Sequence, residues 1–254
     1  MLELENVCVR YGDVSALEDI SLSIESGKLL AVIGPNGSGK STLLRAACGL
    51  QPLFSGGIRA DGEALTALTP KQIAQRVSYL PQSRSVPDIT AERMVLHGRF
   101  PHLGYPRHLR NIDREIAARS LEVVGGEALS HRSLRELSGG QRQRVYIAMA
   151  LAQETGTLLL DEPTTYLDIA YQYQTARLLR RLAGQGKAVA AVMHDLPMAF
   201  RTADRIVVLD KGRIVVRGAP EEVFQSGVIP AVLGVSMERI DTPSGMRYFC
   251  GEVV

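Results

Sequence analysis

Apolar residues fall along this chain in two kinds of run. The first is short and unbroken. Residues 29–33 (Leu-Leu-Ala-Val-Ile), 157–160 and 188–193 predict strands buried on both faces, as in a parallel sheet. The second kind recurs at helical spacing. Leu43, Leu44 and Ala47 mark one helix face. So do Val145, Ala148, Met149 and Ala152, and again Leu178, Leu179 and Leu182 within a predicted helix over 169–182. Residues 2–10 alternate imperfectly, with Leu2, Leu4 and Cys8 on one side and Glu3, Glu5, Val7 and Val9 on the other. They predict a strand closed by a Tyr11-Gly12-Asp13 turn, followed by a second strand over 17–25.

Turn chemistry fills in the remainder. Residues 56–62 predict a strand and tight turn, and Thr69-Pro70 opens a helix with proline at its first position. Residues 76–80 form a short apolar strand. From residue 83 the texture becomes mostly helical, with helices over 88–96 and 113–124 and a Gly/Pro/His/Arg loop over 98–110 between them. Residues 204–209 and 212–217 predict a hairpin around Asp210-Lys211-Gly212, and Ala219-Pro220 starts a short helix. Beyond residue 225, residues 237–240 and 246–249 flank a Pro-Ser-Gly turn. The predicted fold is α/β: an alternating chain over 1–224 with a helical insert at about 83–153, then a short appendage over 225–254. There is no internal repeat or low-complexity tract.

Polar residues collect where the apolar strands end. Residues 34–41, Gly-Pro-Asn-Gly-Ser-Gly-Lys-Ser, match G-x-x-x-x-G-K-[ST] between a predicted strand and a predicted helix. Gly34, Gly37 and Gly39 let the backbone fold tightly, so that its N–H groups approach an anion. Lys40 brings charge to the outer phosphates, and Ser41 offers a hydroxyl to a bridging Mg²⁺. The helix N-terminus favours phosphate. The loop alone predicts a nucleoside triphosphate with Mg²⁺, and leaves kinase, GTPase and ATPase open.

Asp161 and Glu162 end the apolar strand 157–160. Two carboxylates there are costly unless they serve a cation or a proton transfer. Asp161 suits the Mg²⁺-holding acid, and Glu162 is placed to polarise a water. Gln82 and His194 also sit at strand ends, where ligands bind open α/β sheets. Ser138 is an N-cap before Gly139, Gly140 and Gln141, which gives either an ordinary capped helix or a second phosphate-accepting N-terminus. Tyr11 is either a turn aromatic packed on its own sheet or a platform for a nucleotide base. His97, His102 and His108 have neither helical-pair nor finger spacing for a metal.

Bulk composition narrows the setting. Among 254 residues, 29 basic and 27 acidic side chains leave a formal charge of +2. That balance argues against an electrostatic nucleic-acid or membrane surface. No apolar run is long enough to span a bilayer, and the N-terminus lacks a basic-then-apolar signal pattern. Cys8, Cys48 and Cys250 are widely spaced and read as reduced core thiols of a cytosolic protein.

Taken in order, these motifs resemble the ATP-binding cassette (ABC) ATPases. Residues 34–41 correspond to Walker A, Leu137-Ser138-Gly139-Gly140-Gln141 to the signature, and residues 158–162 to Walker B. Tyr11, Gln82, Thr165-Tyr166-Leu167-Asp168 and His194 match the A-loop, Q-loop, D-loop and switch histidine. The match runs from Leu2 to about Phe224. The resemblance implies a P-loop NTPase fold with an antiparallel β subdomain and a helical subdomain. It implies that two copies sandwich two ATP molecules head to tail.

The site roles are carried over from the same resemblance. Tyr11 would stack on adenine, while Gly34, Pro35, Asn36, Gly37, Ser38, Gly39, Lys40, Ser41 and Thr42 cradle the phosphates. Ser41, Gln82 and Asp161 would hold Mg²⁺. Ser138, Gly139, Gly140 and Gln141 would reach ATP on the opposite copy, and Asp168 would link the two sites. Glu162 would be the general base, with His194, Lys40 and Gln82 completing the catalytic set. The helical insert, including residues 98–110, would dock a membrane permease.

Finer features, including Leu80-Pro81-Gln82 and Gly98-Arg99-Phe100-Pro101-His102, resemble importer ATPases for iron–siderophore, haem or cobalamin cargo. Such a subunit is peripheral, on the cytoplasmic face of the bacterial inner membrane, and meets a substrate-binding protein only through the permease. The other readings are an exporter ATPase and a non-transport ABC ATPase on DNA or the ribosome. The near-neutral charge and the lack of a long coiled-coil insert or second cassette disfavour the last.

Overall fold

A computed structural model of the chain describes residues 1–82, 85–243 and 245–252. The expected start of the helical insert at Ser83 and the serine of the Pro-Ser-Gly turn, Ser244, lie outside the described residues.

The centre is a six-stranded sheet in the order β10-β9-β3-β8-β7-β6. Its strands are β3 (Leu29–Ile33), β6 (Val77–Leu80), β7 (Thr157–Leu160), β8 (Ala188–Val192), β9 (Arg205–Asp210) and β10 (Arg213–Gly218). All neighbours run parallel except β9 and β10, the hairpin expected around Asp210-Lys211-Gly212. β3, β7 and β8 are buried along their whole length. Both faces of the sheet are therefore covered, which accounts for their unbroken apolar runs.

Alternation divides these strands between two cores. Leu30, Val32, Leu159 and Ala190 pack with an antiparallel sheet and with α1 (Lys40–Ala47). That sheet has the order β2-β1-β4-β5, formed by β1 (Leu2–Tyr11), β2 (Val14–Ile24), β4 (Ser55–Ala60) and β5 (Glu63–Ala64). Ala31, Ile33, Leu158, Leu160 and Ala191 face the opposite core, with the helices α3 (Ala91–Leu96), α4 (Asn111–Val123), α5 (Gly139–Ala152), α6 (Ile169–Gly184) and α7 (Leu196–Thr202).

In β1 the inward set changes partway. Leu2 and Leu4 are buried, then Val7 and Val9 rather than Cys8. The register with β2 shifts between Leu4 and Val7, and Asn6 takes a positive φ of 49°. This bulge adds one residue and moves the following side chains to the other face. Thr69 caps α2 (Pro70–Ala74) in a capping box with Gln72.

The expected loop over 98–110 is partly ordered as a 3₁₀ turn over His97–His102. Its anchor is Arg99, which is buried. Arg99 Nε donates to Asp113 Oδ1 at 3.1 Å, and Nη1 donates to the Ala152 carbonyl at 2.6 Å and Glu154 Oε2 at 2.9 Å. Arg110 and Arg99 both bond Asp113, holding its carboxyl at about 2 against the opposing effect of burial. Gly98 packs so closely on α5 that a Cβ there would lie 2.1 Å from the Met149 carbonyl oxygen.

The chain ends with α8 (Pro220–Gln225), α9 (Val228–Leu233) and a hairpin of β11 (Val235–Thr242) and β12 (Gly245–Glu252). The cysteines are all free. Cys48 is buried and Cys8 half-buried, but Cys250 is exposed because it lies on this outer hairpin, not in the core.

Candidate functional site

The sheet order brings together chemistry that is scattered in sequence. β3, β8, β7 and β6 are parallel and successive neighbours, so their C-terminal ends lie in a row. Along that row come the glycine-rich loop after β3, His194 after β8, Asp161-Glu162 after β7 and Gln82 after β6. Ligands of open α/β sheets bind at this end of the strands.

The loop is folded as a compact ring. Gly34 has φ +152°, and a Cβ there would sit 2.1 Å from the Leu209 carbonyl oxygen. Gly39 has φ +102°, and its Cβ would lie 2.7 Å from the Ala16 carbonyl oxygen. Neither position admits a side chain. Lys40, only 7% exposed, donates from Nζ to the carbonyls of Gly34 at 2.9 Å and Pro35 at 2.8 Å. Burial pushes its ammonium below the ordinary lysine value, while the charges of Glu162 and Asp161 act the other way. Ser38 Oγ is buried and has no hydrogen-bond partner. A buried hydroxyl left unpaired is costly unless a ligand completes it.

Asp161 is 3% exposed. It accepts from Ser41 Oγ at 3.1 Å and from the Tyr79 hydroxyl at 3.2 Å. Burial raises its pKa, against the two hydrogen bonds, and the neighbouring Glu162 charge adds to the rise. A hydroxyl and a carboxylate oxygen side by side form a hard-oxygen set of the kind that binds Mg²⁺. With the orphaned Ser38 hydroxyl and the side-chain-free loop, the residues fit a nucleoside triphosphate with its cation.

Glu162 is the hub of the site. Its Oε1 lies 2.6 Å from His194 Nε2, and its Oε2 accepts from Gln82 Nε2 at 2.5 Å and Thr165 Oγ1 at 2.9 Å. Gln82 thus turns its amide nitrogen to Glu162. Burial alone would raise the Glu162 pKa. The hydrogen bonds of His194 and Thr165 and the charges of His194 and Lys40 outweigh it and hold the carboxyl below its ordinary value. Glu162 also takes a left-handed φ of 52°, a conformation uncommon for non-glycine residues and concentrated at functional sites. Glu162, Gln82, His194 and Asn36 line an open cleft of about 840 Å³, together with Thr165, Tyr166 and Asp195.

Other expected site residues lie apart from this cleft. Ser138 caps α5 in a reciprocal box, accepting from the Gln141 N–H at 3.3 Å while its own N–H donates to Gln141 Oε1 at 3.0 Å. Residues 138–141 do not line the cleft. Gly140 packs on the Tyr171 ring, so closely that a Cβ would lie 2.5 Å from it. Asp168 is exposed and caps α6, accepting from the Tyr171 N–H at 2.9 Å. Tyr11, 47% exposed, ends β1 with its hydroxyl donating to Gln51 Oε1 at 2.8 Å. Thr42 follows Ser41 in α1. His97 packs at a tilt on Phe100, with ring centroids 4.8 Å apart, and His102 Nε2 lies 2.8 Å from the Gln153 carbonyl, so neither is turned to the site.

Two partners in the site lie outside the expected set of site residues. Tyr79 is the second donor to Asp161 and Thr165 the third partner of Glu162. Alternation in β6 is the sequence signal for Tyr79, and Thr165 opens the Thr165-Tyr166-Leu167-Asp168 segment.

Strand, glycine-rich loop, helix and the Ser41–Asp161 pair together define a P-loop nucleoside triphosphatase. The description "ABC transporter" matches residues 17–165. Over 241 residues the chain is 40% identical to the ferric enterobactin transport ATP-binding protein FepC of Escherichia coli K12, covering 94% of this chain and 89% of FepC. It is 42% identical over 243 residues to the hemin import ATP-binding protein HmuV of Pseudomonas fluorescens Pf0-1, covering 93% and 94% of the two. The dimeric post-hydrolysis state of an ATP-binding cassette bound to ADP and Pi superposes with a TM-score of 0.75 at 29% identity, covering 87% of this chain and 99% of that one. The chain belongs to the ABC transporter family.

Proposed function

We propose that this chain is the ATP-hydrolysing subunit of a membrane importer for iron–siderophore, haem or cobalamin type cargo. The observation that carries the hydrolytic reading is the convergence on Glu162. A carboxylate held ionised by His194, Thr165 and Lys40 lines a cleft beside the phosphate loop. Such a group takes a proton from a water attacking the terminal phosphate, a role worth about 10²–10⁴-fold in rate. His194 orients that water and the carboxylate. Lys40 and the N–H groups over 34–42 hold the phosphates, with Ser38 Oγ as a further donor, and Tyr11 stacks on the base. Ser41, Asp161 and the Gln82 carbonyl would hold Mg²⁺, which neutralises phosphate charge when bound.

Two copies would close on two ATP molecules, with Ser138, Gly139, Gly140 and Gln141 of each facing nucleotide on the other and Asp168 linking the sites. That Ser138 stands apart from its own cleft supports this. The bound ligand favours the closed pair by its differential affinity for it, and hydrolysis removes the link.

Residues 1–224 would form the ATPase domain, with its helical insert at about 83–153, and 225–254 the appendage. Phe100, Tyr105, Leu109 and Ile112, exposed on the insert, would meet the permease. Among the described residues no helix is long and apolar enough to cross a membrane. In this reading the chain sits at the cytoplasmic face of the bacterial inner membrane, bound to its permease and coupled through it to a substrate-binding protein. The importer assignment draws on the names of FepC and HmuV.

The test is capture of the tagged chain from detergent-solubilised membranes, with partners identified by mass spectrometry. A many-spanning permease with a genetically linked binding protein is the expected result. Recovery with ribosomes, DNA or no membrane protein would overturn the transport reading.

A further inference from the structure

The C-terminal hairpin has one buried aromatic among exposed neighbours. Tyr248 is 8% exposed, while Arg247 and Phe249 on either side are exposed. Its ring packs on Phe200 of α7 with centroids 5.1 Å apart, and on Phe224 of α8 at 5.7 Å, edge-on. Arg239, its cross-strand partner, pairs with Glu221 and lies 5.3 Å over the Phe224 ring. The hairpin is thus joined to two helices through Tyr248, and Val235 and Met237 pack on the same core.

One of those helices adjoins the hydrolytic site. α7 starts two residues after His194, and Asp195 caps it, accepting from the Met198 N–H at 2.8 Å. α7 has seven residues. A helix this short has no independent stability, so its place is set by what packs on it. The hairpin reaches the site from a second side as well. Val235 and Cys250 line the cleft that holds Glu162, Gln82 and His194. In the hairpin register Cys250 is two residues from Tyr248 on the same strand, and so on the same face.

We infer that the C-terminal hairpin is a brace for the hydrolytic site and that Tyr248 is a positioning residue for His194. Through Phe200 it seats α7, and α7 holds His194 against Glu162. The Tyr248 hydroxyl is not needed for this; the ring is. The inference rests on the roles given to Glu162 and His194 above. A misplacement of about 1 Å at such a site costs up to about 100-fold in rate.

The test compares the full chain with Tyr248→Leu, which keeps the pocket filled with an aliphatic group, and with Tyr248→Phe. Steady-state ATP hydrolysis, binding of a fluorescent ATP analogue and amide exchange over residues 196–203 are measured on each. Tyr248→Leu is expected to lower kcat by about tenfold or more while KM and analogue affinity stay within about twofold, because the phosphate loop is untouched. The α7 amides exchange faster in the same variant. Tyr248→Phe restores both. In a His194→Ala background, Tyr248→Leu has no further effect on the residual rate, since both act through one group.

An unchanged kcat with protected α7 amides in Tyr248→Leu overturns the inference. So does an equal fold loss in the His194→Ala background. If Tyr248→Leu does not fold, Phe200→Leu makes the same comparison from the helix side. A native chain that binds ATP and never hydrolyses it, alone or with its permease, sinks the functional reading instead. The exchange data then still decide whether the hairpin seats α7.

Discussion

His194 Nε2 lies 2.6 Å from Glu162 Oε1, joining the ends of two adjacent parallel strands. Thirty-two residues separate them in sequence; one strand spacing separates the strands that carry them. The contact fixes one carboxylate oxygen, while Gln82 and Thr165 fix the other. Glu162 is therefore oriented on both sides by the chain's own residues, which is the arrangement a general base requires.

Glu162→Gln keeps the shape of this hub and removes its charge. ATP turnover should fall by about 10²–10⁴-fold while ATP binding persists. ATP should also trap the variant as a dimer, seen as a shift in size-exclusion elution. Near-normal hydrolysis by this variant would reject Glu162 as the base.

Thr165→Val removes one donor to the ionised form of Glu162 with little change in volume. The Glu162 pKa is lowered in the native protein, so the base is present above that pKa and lost as pH falls through it. Removing the donor raises the pKa, and the acidic limb of the kcat/KM profile should move to higher pH. A limb that stays in place would show that Thr165 does not tune the base.

Ser138→Arg places a bulky charge at the start of α5, away from the chain's own cleft. Each chain should still bind ATP with native affinity by equilibrium titration, while turnover drops about 100-fold or more. A sharp loss of affinity in the isolated chain would place Ser138 in its own chain's site and not across a dimer.

Arg99→Ala should destabilise the chain by about 3 kcal/mol in denaturant unfolding, at the low end for breaking a buried ion pair because Arg110 remains with Asp113. The nucleotide affinity of the folded fraction should be unchanged. A loss under about 0.5 kcal/mol, the range of an ordinary surface change, would mean that Arg99 does not anchor the insert.

The strands buried on both faces are legible in residues 29–33, 157–160 and 188–193, because an unbroken apolar run this short suits a strand covered on both sides better than a helix or a half-exposed strand. The site is legible because its residues sit at the ends of those runs. Short sequence patterns do not reveal backbone irregularities or long-range partners. The bulge at Asn6 reverses the inward side of β1, and nothing in the alternation itself says where the extra residue falls. Arg99 sits in a segment rich in Gly, Pro and His that reads as exposed loop; its burial depends on Asp113 and Ala152, far along the chain. α7 leaves little trace in the sequence although Asp195 and Pro197 are proper helix-start residues, because its seven residues are too few for a periodic signal. Cys250 reads as a core thiol because free cysteines usually are, and only the outward hairpin makes it exposed.

The carbonyls of Gly34 and Pro35 that accept from the Lys40 ammonium tie the start of α1 back onto the phosphate loop. Bonds within the chain of this kind reduce the backbone conformational entropy that the loop has left to lose when nucleotide arrives. Binding becomes an exchange of hydrogen-bond partners at one amine. The entry rate should follow diffusion and the opening of the cleft, with no slow ordering phase, and the loop is equally ready to rebind once product leaves.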